Sequence, residues 1–135
     1  MFRDIEFKIQ KRNQILFSRN SKCLQELRYL ISEQTHRALI MWALDCGEFP
    51  VSKIEEKYPC ETRPRNALEL CRLWAGGEIK MTAAKRAILD CHAAAKEISD
   101  PVYCALYHAA GHAGATVHVE THALGLPFYE LTAIV

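Results

Sequence analysis

Residues 100–116 read DPVYCALYHAAGHAGAT, and the reading of this stretch decides the fold. Asp100 before Pro101 is a helix start. The acid accepts from free backbone N–H groups of the first turn, and proline stands at the first helical position, where a missing N–H costs nothing. Nothing breaks the pattern before about Thr116, and positions 105–115 are Ala and Gly apart from Leu106, Tyr107, His108 and His112. Residues 83–95, AAKRAILDCHAAA, share that small-residue composition. Small side chains let helix axes approach closely, so these two helices are expected to cross at the centre of a bundle. Polar side chains emerging at such a crossing lose their water and need partners.

Outward from that pair, helical period and helix punctuation recur, and strand-like alternation does not. Asn20 or Ser21 caps a helix whose apolar face is Cys23, Leu24, Leu27, Leu30 and Ile31. Thr35 begins a helix with Leu39, Trp42, Ala43 and Cys46 in line, ended or bent at Pro50. SKIEEKY (52–58) forms a short amphipathic turn or helix before Pro59. Thr62, with Pro64 in the first turn, opens a helix with the stripe Ala67, Leu70, Cys71 and Trp74, stopped by Gly76–Gly77. Thr82 caps a helix that turns Ala84, Ala87, Ile88, Cys91, Ala95 and Ile98 inward. A break near Val119–Thr121 leaves Thr121 capping a last helix through Tyr129. The expected class is all-α: a single compact bundle of six or seven helices with a close-packed, Ala/Gly-rich C-terminal helix pair. One domain spans 1–135, with N-terminal helices in 1–34 and the core in 35–135.

A chain of 135 residues, half of them hydrophobic, is long enough to bury a core without a covalent staple. Its formal charge of +1 provides no global field for nucleic acid or an anionic membrane. Six cysteines stand without a CxxC pair, MFRDIEFKIQ has no apolar signal region, and no apolar run nears the roughly 18 residues of a membrane span. A cytoplasmic protein with reduced, mostly core thiols is expected. Lys and Arg stop at Lys96, while Glu97, Asp100, Glu120 and Glu130 follow, so the Ala/Gly-rich end reads as buried.

Four of the six histidines, His108, His112, His118 and His122, fall within eighteen residues. His108 and His112 lie four apart on one helical face, a spacing that suits two ligands of one zinc ion. A third ligand would come from His118, His122, Glu120 or His92. The glutamate that follows the first histidine in zincins is here Ala109. The favoured reading is structural: each ring bonds a carbonyl or carboxylate and pins a tight corner. No metal is assigned and no cofactor is expected. Cys91–His92 resembles a nucleophile beside its base, but helical neighbours point about 100° apart, and Cys91 lies on the apolar stripe. Arg63 and Arg65, flanking Pro64, would hold a phosphate or carboxylate, or else form a structural ion pair with Asp45; the ion pair is favoured. KIQKRNQILFSR (8–19) is basic and amphipathic, a contact for nucleic acid or an acidic partner, or, as favoured, a solvated face.

Taken together, WALDC (42–46), RPRNALE (63–69), WAGGEI (74–79), CHAAAK (91–96) and GHAGATVHVETHALG (111–125) resemble the immunity-five-like family. These are small all-helical bacterial proteins predicted to be immunity proteins of polymorphic toxin systems. The resemblance runs over about residues 35–130, and H-x-x-x-H-A-x-G is its most specific part. Glu120–Thr121 stands where members frequently have Pro-Gly, and LPFYELT where they often have an alanine-rich segment; both bear on the last helix boundary. The resemblance implies a non-catalytic cytoplasmic binder that neutralises a cognate toxin, with no catalytic residue carried over. It makes Trp42, Asp45, Arg63, Arg65, Trp74, His92, His108, His112, His118 and His122 a structural signature. Glu48, Glu55 and Glu56 are the exposed acids that would meet a basic toxin site. The competing expectation is a small metal-binding protein or metal-dependent hydrolase on His108, His112, His118 and His122. It requires three nitrogens to converge within about 4 Å of one point.

Overall fold

The computed structural model describes residues 2–116 and 122–135, the latter with side chains from Gly125 onward. Its helices are α1 (Arg3–Gln10), α2 (Gln25–Glu33), α3 (His36–Cys46), α4 (Glu48–Lys57), α5 (Arg63–Ala75), α6 (Met81–Ala95), α7 (Pro101–Ala115) and α8 (His122–Ile134). A 3-10 turn, Lys22–Leu24, precedes α2. The class is all-α, with no strand among the described residues, and α7 and α8 pack closely as a pair. No helix of the described residues is long and apolar enough to cross a membrane.

α7 is the axis of the bundle. It buries residues around its whole circumference, from Ala105, Leu106 and Tyr107 to Ala113, Gly114 and Ala115, as a helix apolar on all sides must. α3, α4, α5, α6 and α8 all pack against it. The Asp100 side chain accepts from Val102 N–H, and Thr35 caps α3 by accepting from Ala38 N–H at 3.2 Å. Packing is close enough to exclude single carbons. A Cβ on Gly114 would lie 2.9 Å from Cys71 Sγ, and one on Gly47 would lie 2.9 Å from the Ala113 Cβ.

Three local expectations need correction. α6 begins at Met81 with Lys80 at its cap position, so Thr82 lies within the first turn and does not cap it. α2 buries no residue, and Leu30 is exposed. The partners of its apolar face are a small satellite cluster, in which Leu24, Cys23 and Leu27 meet Ile5, Leu16, Phe17, Phe128 and Leu131. Leu30 falls outside that cluster. α8 does not stop at Tyr129 but continues through Pro127 to Ile134. Proline inside a helix forfeits one backbone bond. Thr132 supports the turns beyond it: its Oγ1 donates to Phe128 O within α8 at 2.7 Å and accepts from the distant Leu16 N–H at 3.0 Å. The expected break near Val119–Thr121 lies outside the described residues.

The tight contact at α7 sets a test. Gly47→Ala should destabilise the protein by about 1–3 kcal/mol in urea unfolding, because backbone and core would have to shift to admit the methyl. Gly76→Ala meets only ordinary contacts at 3.6 Å and should stay within about 0.5 kcal/mol of the parent.

Candidate functional site

Where α6 crosses α7, three imidazoles gather with one phenol. His92 comes from α6, His108 and His112 from α7, and Tyr129 from α8. Each is half-buried. Their positions follow from two missing side chains. A Cβ at Gly111 would lie 2.6 Å from Cε1 and Nε2 of His92, and a Cβ at Gly125 would lie 2.5 Å from Nδ1 of His112. The glycines are the holes in which these rings sit.

His92 and His108 stack with centroids 5.0 Å apart, their Nδ1 atoms 2.8 Å apart in a hydrogen bond. His112 meets His92 edge-on at 5.3 Å, and the Tyr129 ring lies 5.1 Å from both His108 and His112. A bond between two Nδ1 atoms needs one donor and one neutral acceptor. Burial, then the charge of Lys96, lowers the His108 pKa and favours its neutral ring. Full protonation of both rings would oppose two N–H groups.

Nδ1 of His108 is engaged by His92, whereas Nδ1 of His112 faces Gly125. Among the described residues no three His, Cys, Asp or Glu side chains are placed to hold a metal ion. His118 and the His122 side chain lie outside the described residues. Cys91 is a core thiol: its Sγ donates to Tyr107 O at 3.3 Å, and burial raises its pKa to about 12.

The arginines beside Pro64 do form ion pairs, but not with Asp45, which is exposed. Ala43 and Leu44 turn into the core and leave Asp45 on the outer side of α3. Arg63 grips Glu61 through two bonds of 2.8 Å and reaches Glu97 at 2.7 Å. Glu61 also accepts from Arg63 N–H at 3.0 Å and from the buried Tyr107 hydroxyl at 3.0 Å. It thereby does the capping expected of Thr62, and the Arg63 contacts pull its pKa down to about 2. Arg65 bridges Glu48 at 2.7 Å and Glu55 at 2.6 Å, and Arg72 takes the other Glu48 oxygen at 2.7 Å. Glu48 and Glu55 are therefore half-buried and neutralised, not free exposed acids; Glu56, 68% exposed, pairs with Lys53 at 3.6 Å. Trp42 and Trp74 each pack against a core cluster.

Sequence reasoning missed Glu61, Tyr107, Tyr129 and Glu130. Only the glycines beside the histidines signalled a seat for a ring. Glu130 is the least compensated of the four. Burial raises its pKa to about 7, and Oε1 has no hydrogen-bond partner. Its charge acts on Cys46, whose pKa is raised by burial first and then by Glu130 and Asp45.

A family model described as "Imm-5 like putative immunity protein" matches residues 29–135 of the chain. No match was found among curated proteins or among solved structures.

Two outcomes follow from this geometry. Gly111→Ala should lower Tm and displace the His92 ring, read as a loss of the His92–His108 coupling in imidazole nitrogen NMR. The raised pKa of Glu130 gives stability that is full below its unfolded value near 4.5 and lost as pH rises through about 7. Glu130→Gln, neutral throughout, should accordingly raise Tm at pH 8 by more than at pH 5. An equal gain at both would contradict the burial of an uncompensated carboxyl.

Proposed function

The chain belongs to the Imm-5 like family of immunity proteins, and on that premise we propose that it is a non-catalytic cytoplasmic binder that neutralises a cognate toxin. The observation that carries this reading is the match itself, which covers residues 29–135. On this reading 1–135 is one domain, and Trp42, Arg63, Arg65, Trp74, His92, His108 and His112 are scaffold that keeps the binding face rigid. Inhibition by occlusion needs a shaped, inflexible surface, because loops ordered on binding would subtract from affinity.

Charge favours a basic partner site. Residues 29–135 carry thirteen acidic and ten basic side chains, against three acidic and seven basic in 1–28. Glu56 is the most exposed of the three α4 acids and would sit at the rim of such an interface, where charge acts chiefly on association rate.

Co-expression with the toxin encoded beside the gene is the direct test: the protein should restore growth and co-purify with the toxin. His108→Gln, if it folds, should rescue as well as the parent. Failure of the parent to rescue removes the immunity reading. Failure of a folded His108→Gln alone removes the scaffold role of the histidines.

A further inference from the structure

Residues 2–28 precede the family-matched region and lie across the α7–α8 face, tied to it by Leu16 and Phe17 against Phe128 and Leu131. Between residues 8–19 and the α7–α8 pair a cleft of two lobes remains. The smaller lobe, about 270 Å³, lies among Gln14, Ile98, Cys104, Ala105 and His108. The larger, about 610 Å³, lies among Lys8, Asn13, Phe17, Arg19, His112 and Phe128. Ile15 and Tyr129 border both.

The chemistry of this cleft is one-sided. Among the described residues no carboxylate lines either lobe. Around α4 and α5 the arginines are matched by acids, yet among the described residues Lys8 bonds only Ser18 Oγ, at 3.4 Å, and no ion pair engages Lys8 or Arg19. Cations beside low-dielectric apolar walls focus their field on a bound anion. The combined space lies within the roughly 300–1,000 Å³ of small-molecule sites, which are apolar with a few placed polar groups.

We propose that this cleft binds a small organic anion with an apolar body, such as an amphipathic carboxylate or sulfonate. Lys8 and Arg19 receive the anionic head. Ile15, Phe17, Phe128 and the Tyr129 ring cover the body. The site belongs to the junction between the N-terminal segment and the α7–α8 pair, so neither part forms it alone. It does not depend on the toxin reading.

The test is calorimetric and fluorescence titration of the full chain with anilinonaphthalene sulfonate. One saturable site per chain is expected, with decanoate competing and neither decanol nor inorganic phosphate doing so. Arg19→Glu and Ile15→Glu, at exposed positions, should each weaken binding on the order of tenfold with Tm unchanged. The proposal is overturned by absence of saturable binding, by several sites per chain, or by equal competition from decanol or phosphate. It is equally overturned by undiminished affinity in both folded variants; if Ile15→Glu does not fold, Arg19→Glu decides alone.

Discussion

The fold depends on how closely the other helices can approach α7. Gly114 lets the Cys71 sulfur within a distance that no Cβ would permit, and Gly47 does the same for Ala113. Small residues contribute little apolar area one by one, but at this density each atom has partners on every side. The same closeness dictates where larger side chains go. His92 and His112 occupy the crossing only because Gly111 and Gly125 vacate the volume opposite them. Their clustering with Tyr129 is thus a consequence of packing before it is a matter of chemistry.

Polar groups trapped by this packing are satisfied in chains. The Tyr107 hydroxyl, buried on α7, has Glu61 as acceptor, and Glu61 is held by Arg63 at the start of α5. Arg65 and Arg72 likewise join α5 to α4 through Glu48. These pairs are partly solvated, so their net stabilisation is small, on the order of 1 kcal/mol or less apiece. They fix the register between helices more than they add stability. Glu130 stands outside both chains, which is why burial alone shifts it.

Legibility in the sequence followed the range of the interaction. Asp100–Pro101 and Thr35 cap through bonds that span two or three residues, and both were readable as starts. Thr82 carried the same local signal but was overruled, because α6 starts two residues before the position it would have capped. The part of α8 beyond Tyr129 was invisible because its support includes Leu16, far away in the chain. For the site, spacing placed His108 and His112 on one helix, but ring orientation is set across the helix crossing. Periodicity on α7 alone could not show that Nδ1 of His108 is taken by His92 while Nδ1 of His112 faces Gly125.

The sequence by itself determined the helical class, most of the helix starts and the small-residue character of the central pair, since those rest on local backbone sterics and on side-chain size. It also carried the family signature around the histidines. Only the tertiary structure decided that His92 pairs with His108, that Glu61 rather than Asp45 answers Arg63, and that a cleft lined by Lys8 and Arg19 opens beside the N-terminal segment. Each of those joins residues from different elements, and hydrogen-bond direction and burial exist only once the helices have docked.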